Sequence, residues 1–314
     1  MQTFDYRRPA SISETTAILA DAGEDATVLA GGQSLMILLR QQLVRPAVLI
    51  GLRGLGELNG IWTQNGRLVL GAMTPYAVVA AHPEVRARAH ILSRAAGSVG
   101  SVHIRNRGTV GGSVCHADPA GDVPTVLLSY GADLVAAGPE GSQQRYRADD
   151  FCTGFFETRL PPGQLLIRIE LDEQPGNATY GYRRFSFREG EYPMCVAAVR
   201  LEWQDGACSG AIVGLGGAGD RPLRLPEAEA MLAGAPLAGF DARRILSGVA
   251  DLISPVPDVR GSSAWKARVV EKVLAQATQE AAEQAAGLVQ AGQTQAGQAR
   301  RQDTQAAEGG RGDG

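Results

Sequence analysis

Ala30-Gly31-Gly32-Gln33-Ser34-Leu35 separates two apolar runs, Thr27-Val28-Leu29-Ala30 before it and Ser34 to Gln41 after it. The first run predicts a short strand and the second a helix, so the paired glycines are the turn between them. Glycines without a Cβ let the backbone approach a ligand closely and adopt positive φ. The unpaired N–H groups where the following helix begins favour an anion, for which a diphosphate is a natural occupant. A Gly-Gly-x-Ser met alone is most often a plain strand–helix turn.

A second stretch has the same chemistry. Ile104-Arg105-Asn106-Arg107-Gly108-Thr109-Val110-Gly111-Gly112-Ser113 flanks a glycine pair with two hydroxyls and places two arginines before it. Its amides and hydroxyls suit phosphate oxygens as an anion nest, although such a loop is also an ordinary solvated surface. A third glycine run, Gly214-Leu215-Gly216-Gly217-Ala218-Gly219, fits G-x-G-x-x-G and follows a strand. The dinucleotide fingerprint needs its last glycine to open a helix, and Pro222 and Pro226 forbid one there. The run is a strand end plus loop, so replacing Gly216 is expected to spare any bound dinucleotide.

The rest of the chain alternates short elements. Ser11 or Ser13 caps a helix through Thr16–Ala20 that stops at Gly23, and strands follow at 47–50 and 68–70. A helical turn over 75–80 is capped by Thr74. One longer helix covers Glu84 to Ala96 and ends at Gly97, and Gly100 to Gly112 is a loop. Pro119 or Pro124 starts a helix ended by Gly131, with strands near 134–136 and 165–169 closing this part. The break Pro175-Gly176-Asn177 is the domain boundary. Beyond it lie two alternating strands (Met194 to Trp203, Ala211 to Leu215) and helices at 226–232, 241–252 and 263–285. This alternation argues α/β or α+β architecture. Beyond Val289 no apolar residue is larger than alanine, which predicts a disordered Gln/Ala/Gly tail over 286–314.

Composition narrows the function. The chain has 314 residues, 44% of them apolar, and a net charge of −3, which gives no basic footprint for nucleic acid. No apolar run spans a bilayer, and Met1 to Arg8 has no apolar segment behind its arginines, so no transmembrane segment or signal peptide is expected and the expected location is cytoplasmic. Cys115, Cys152, Cys195 and Cys208 lie far apart, against disulfides, iron–sulfur clusters or structural zinc on this chain. Cys115 and Cys195 are expected to be buried and inert. His116, Asp118 and Asp122, with one histidine beside two prolines, make a poor metal cage. His103, a lone loop histidine, is assigned no role. Phe151, Phe155 and Phe156, the densest aromatic cluster, are expected to pack in the core, with a partner-facing patch as the alternative. No triad, carboxylate pair or metal cage is present, so no catalytic residue is assigned.

The two glycine loops are followed by Cys115-His116-Ala117-Asp118-Pro119-Ala120-Gly121-Asp122-Val123-Pro124, with Phe185 to Ala198 further downstream. In this order they resemble the FAD-binding medium subunits of the xanthine dehydrogenase and carbon monoxide dehydrogenase family, the molybdenum hydroxylases. The likeness runs from Phe4 to about Ala285. It implies an α+β fold: a two-subdomain FAD-binding domain of the vanillyl-alcohol-oxidase type over 1–175 (subdomains about 1–55 and 56–175), then a smaller α+β domain over 176–285. It implies FAD held by Ala30, Gly31, Gly32, Gln33, Ser34 and Leu35, and by Thr109, Gly111, Gly112 and Ser113. Asp122 would reach the adenosine ribose with Asp118 beside it, and Ile104 and Tyr192 would lie near the flavin. The family often has Asp-Tyr-Ala-Leu where this chain has Glu191-Tyr192-Pro193-Met194, so the tyrosine is kept while the local backbone is in question. Gln33 stands where many relatives carry histidine.

The resemblance further implies partners. A large subunit with a molybdopterin cofactor oxidises the substrate, a small subunit carries two two-iron two-sulfur clusters, and electrons pass through FAD to an external acceptor. The assembly would be a dimer of heterotrimers. Two other readings stay open: a stand-alone flavoprotein oxidoreductase of the same fold, and an assembly subunit that has lost its flavin.

Overall fold

The computed structural model describes residues 3–309, with side chains as far as residue 290. Its first sheet is parallel and ordered β1-β3-β2, from β1 (Asp5–Arg7), β2 (Ala26–Leu29) and β3 (Val48–Gly51), with α1 (Ile12–Ala22) and α2 (Leu35–Arg40) as crossovers. Ser11 is the cap of α1, accepting from the Glu14 N–H at 3.1 Å. Leu19, Ile50, Leu52, Leu55 and Leu58 bury this unit against Val135, Ala137, Leu165 and Ile167 of the next sheet.

That next sheet is antiparallel, ordered β4-β5-β10-β6-β7. Its strands are β4 (Ile61–Gln64), β5 (Arg67–Gly71), β6 (Asp133–Ala137), β7 (Gln143–Arg147) and β10 (Leu165–Leu171), with a small hairpin of β8 (Cys152–Gly154) and β9 (Glu157–Thr158) between β7 and β10. Between β5 and β6 the chain forms α3 (Tyr76–Ala81), α4 (Pro83–Arg88), α5 (His90–Ser98), α6 (Val102–Arg105), α7 (Val110–His116) and α8 (Asp122–Ser129); α9 (Ala148–Phe151) follows β7. These helices cover the face carrying Leu68, Leu70, Leu134, Ile169 and Leu171. On the opposite face Arg67 holds Asp133 at 2.7 Å, Glu170 at 2.9 Å and Asp172 at 2.6 Å, while Arg145 and Arg168 also reach Glu170 and Arg147 reaches Asp133.

The sequence reading needs four corrections here. The helix expected over 84–96 is two helices, because Ala89 leaves helical geometry (φ −144°, ψ 52°) while fully buried. Thr74 does not cap α3; its buried hydroxyl donates to the Gly60 carbonyl and accepts the Gly60 N–H, which fixes the bend after β5. The expected loop 100–112 contains α6 and the start of α7. Phe151 is a core residue, but Phe155 and Phe156 are about half exposed at the tip of the β8–β9 hairpin.

The third sheet is antiparallel: β11 (Ala178–Phe185), β12 (Cys195–Gln204), β13 (Ala207–Gly216) and β14 (Leu223–Arg224). Period-2 alternation divides its side chains between two cores. Tyr180, Tyr182, Val196 and Ala198 face α8 and join the core of the second sheet, whereas Cys195, Ala197, Val199 and Leu201 face the last helix. After α10 (Pro226–Leu232), the helix expected over 241–252 is only α11 (Ala242–Ile245), since Gly248 at φ 94° breaks it before a 3-10 turn at Val249–Leu252. The final helix, α12 (Ser263–Gly309), buries Val270, Val273, Leu274, Ala277 and Ala281 against β11 and β12. The backbone stays helical to Gly309, beyond residue 285 where composition predicts loss of order; Ala, Gln, Glu and Arg are all good helix formers. Residues 310–314 lie outside the described residues.

Candidate functional site

The two glycine loops meet. A Cβ placed on Gly31 would overlap the Arg107 carbonyl oxygen and lie 2.9 Å from the Gly108 Cα, and one on Gly112 would sit 3.4 Å from the Ala30 Cβ. Two backbones approach this closely only where a side chain is missing. The bends at 30–35 and 107–113, some 75 residues apart in sequence, therefore form one surface.

They contribute unequally. The N–H groups of Gly31, Gly32, Gln33, Ser34 and Leu35 donate to no acceptor among the described residues. Gly32 takes φ 73°, and the Ser34 hydroxyl, at the start of α2, caps nothing. The Gln33 amide folds back and donates to the Gly31 carbonyl at 3.1 Å. In the second loop the donors are already engaged. Val110 N–H bonds the Thr74 carbonyl, Gly111 N–H the Ala72 carbonyl at 2.8 Å, Gly112 N–H the Thr109 hydroxyl and Ser113 N–H the Thr109 carbonyl. The anion nest expected from 110–113 is thus not made by those four amides. Gly111 is a glycine because a Cβ there would lie 2.6 Å from Ala72 as α7 docks on the end of β5. Thr109 caps α7, and Ser113 shares a hydrogen bond with the buried Tyr76 phenol, which burial pushes up to about 12.

The turn that follows leads into α8. Asp118 accepts the Ala120 N–H at 2.9 Å; desolvation first, then the nearby Asp118, Tyr76 and Asp122, raise the pKa of the Tyr192 phenol, although its residue is about half exposed. Asp122 is 5% exposed at the first position of α8. Burial pushes its carboxyl up to about 6 against the opposing pull of Arg184 and the Tyr182 hydroxyl, which donates to Oδ1 at 2.6 Å. Ile104, half-buried on α6, packs over Gly100, and Gly190, two residues before Tyr192, comes near the Gly100 carbonyl. The ten loop residues singled out from the sequence (30–35, 109 and 111–113) thus lie on the two joined bends, while Asp118, Asp122 and Tyr192 form a neighbouring group and Ile104 sits on α6 just before the second bend.

The third glycine run, at 214–219, is part of this neighbourhood. A Cβ on Gly216 would meet the Thr125 hydroxyl at 2.5 Å and the Pro119 carbonyl at 3.2 Å, and Gly217 N–H donates to that carbonyl at 2.8 Å. The end of β13 is the back wall of the Asp118–Asp122 turn, so Gly216 is no neutral position. Tyr182 and Arg184 carry no motif of their own; the signal for them is the alternation that places both on one face of β11, a strand not expected from the sequence. His116 packs its ring on Phe156 at 4.9 Å and burial lowers its pKa, while burial raises Cys115 to about 12 and Cys195 to about 12. Among the described residues no cluster of ligands could hold a metal, and no helix is long and apolar enough to cross a membrane. A larger cleft of about 400 Å³, bordered by Arg88, His90, Asp172, Tyr180 and Gln284, holds none of the predicted cofactor residues.

Five free amides in succession and a free hydroxyl beside them suit the oxygens of a diphosphate. Residues 2–172 match the family described as the FAD binding domain in molybdopterin dehydrogenase, and residues 180–281 match the CO dehydrogenase flavoprotein C-terminal domain. The chain belongs to the FAD-binding medium subunits of the molybdenum hydroxylases. This medium subunit is 32% identical to the carbon monoxide dehydrogenase medium chain of Afipia carboxidovorans, over 89% of this chain and 96% of that one. It is 33% identical to the 6-hydroxypseudooxynicotine dehydrogenase complex subunit alpha of Paenarthrobacter nicotinovorans, with the same coverage. Its structure matches a chain of CO dehydrogenase from Oligotropha carboxidovorans with a TM-score of 0.85 at 31% identity, over 90% of this chain and 98% of that one. Quinoline 2-oxidoreductase from Pseudomonas putida gives 0.83, also at 31% identity. The medium subunit is accordingly part of an oxidoreductase, with an FAD-binding domain followed by the C-terminal domain of such flavoproteins.

Proposed function

We propose that this medium subunit is the electron exit of a three-subunit molybdenum hydroxylase. It takes electrons from two-iron two-sulfur clusters of a small subunit and passes them to an external acceptor. Substrate is oxidised on a separate large subunit that carries the molybdopterin cofactor. The observation that carries this reading is the joined surface of the two glycine loops, with the free amides of residues 31–35 along it.

On this reading those amides and the Ser34 hydroxyl hold the diphosphate, while Ala30, Thr109, Gly112 and Ser113 wall it. Gly111 acts indirectly, by seating α7. Asp122 takes the ribose, with Asp118 fixing the turn, and Ile104 and Tyr192 border the flavin. FAD supplies the redox chemistry, accepting electrons singly or in pairs; the chain binds, orients and shields it. The domain limits 1–175 and 176–285 belong to the same proposal, as does assembly into a dimer of heterotrimers.

The test is to purify the complex and the lone chain. The expected outcome is one FAD per chain, released by denaturation, with the lone chain reducible by dithionite but inert toward purines, N-heterocycles, aldehydes and carbon monoxide. Substrate turnover by the lone chain would replace the proposal with a stand-alone flavoenzyme, and a colourless chain within an active complex with a flavin-free assembly role.

A further inference from the structure

Asp122 is held from the far side of a domain boundary. Its own turn offers one backbone N–H and the like-charged Asp118, whereas the side chains that favour its ionised form come from β11. The Tyr182 hydroxyl, on a residue 3% exposed, donates to Asp122 Oδ1 at 2.6 Å. Arg184 Nε stands 3.2 Å from the same oxygen, while Nη1 donates to the Ser98 carbonyl at 2.7 Å and Nη2 to the Glu191 carbonyl at 2.8 Å. Tyr182 and Arg184 are two residues apart on one strand and so point to the same face.

The Tyr182 hydroxyl and the Arg184 charge both meet one carboxylate oxygen, and nothing from β11 reaches the other. Simple cohesion of two domains does not require this, since an apolar trio would pack there at least as well as a buried charge. One group is also left unsatisfied: Arg184 Nε is buried with no aligned acceptor.

We infer that Tyr182 and Arg184 are positioning residues of the cofactor site, holding Asp122 by Oδ1 so that its other oxygen accepts from a vicinal diol of the dinucleotide. This rests on the FAD reading above. The C-terminal domain is thereby a wall of the cofactor site and not an appended module. Removing the Tyr182 hydroxyl removes a bond that favours the ionised carboxylate, so Asp122 takes up a proton at higher pH and the ribose loses its acceptor sooner. The groups that face Asp122 in this titration are Arg184 and Tyr182 from β11, Asp118 from its own turn, Tyr76 from α3 and Tyr192 from the 190–193 loop.

The full chain, stripped of flavin and titrated with FAD by fluorescence between pH 5 and pH 8 (about the range where a raised carboxyl titrates), tests this. The Tyr182→Phe variant is expected to bind FAD about tenfold more weakly near pH 6, as loss of one charge-assisted bond implies, and to move the acid limb of the affinity profile upward. Asp122→Asn is expected to flatten that limb, and Tyr182→Phe added to Asp122→Asn to change nothing further. Arg184→Gln is expected to weaken binding in the same way, with partial rescue by Arg184→Lys, which covers the case of a Tyr182 variant that does not fold. If the folded Tyr182 and Arg184 variants bind FAD like the unaltered chain at every pH, or weaken it equally with Asn at 122, the proposal is overturned while the FAD reading stands. An unaltered chain that takes up no FAD overturns both.

Discussion

At the scale of single residues, the glycines of the two loops separate into different jobs, and each job predicts a different failure. Gly31→Ala drives a methyl into the Arg107 carbonyl and forces the loops apart. The expected result is loss of nearly all bound flavin, read from absorbance at its visible band, with an unchanged far-UV circular dichroism spectrum. Gly111→Ala strikes Ala72 at the end of β5 instead, so FAD loss is accompanied by a fall in Tm, on the order of 1–3 kcal/mol of overpacking. Gly216→Val presses on Thr125 and Pro119 and is expected to lower flavin content as well. That reverses the expectation from sequence, and the reason is physical: the pattern around Gly216 correctly denies it a helix-opening role, but no local pattern reveals which distant turn a strand end supports. The loops themselves were legible because their function needs missing side chains, which sequence shows directly. Which amides stay free was not, since that depends on where α7 docks.

Elements were readable where their own residues decide their form. Leu68 and Leu70 alternate inward on β5, Ser11 caps α1, and Pro226 opens α10. They were not readable where a neighbour decides. Ala89 breaks a run of good helix formers because the buried junction of α4 and α5 requires it. β7, with the sequence Gln143-Gln144-Arg145-Tyr146-Arg147, looks like loop and exists as an edge strand through its ladder to β6 and its arginines' pairs with Asp133 and Glu170. That charged face makes a testable contribution. Burial alone would raise the Asp133 and Glu170 carboxyls, yet bonds from Arg67 and Arg147, and from Arg145 and Arg168, hold both below the usual carboxylate range. A folded-state pKa below the unfolded one contributes stability that is present above the ordinary carboxylate value and is lost as pH falls through the lowered one. Thermal unfolding followed from about pH 7 down to about pH 3 is expected to show this acid-side loss. Glu170→Gln should flatten it while costing about 2 kcal/mol at neutral pH, because three arginines lose their counter-charge.

For the whole molecule, the decisive arrangement is the third sheet held between α8 on one face and α12 on the other. Residues 1–175 produced alone would expose the faces of α8 and α5 that Tyr180, Tyr182, Val196 and Ala198 cover. The expected product binds 8-anilinonaphthalene sulfonate and retains little FAD; a well-folded, yellow fragment would contradict the shared core. The Arg94 and Arg183 side chains also converge on Glu280 of α12, with the Arg94 guanidinium over the Tyr182 ring, so helix, strand and α5 are pinned at one point. Swapping halves between two members of this family is therefore not free. A hybrid that joins one parent's α8 to another's β11 mixes the two ends of a single buried contact, and its flavin would report the mismatch before its fold did.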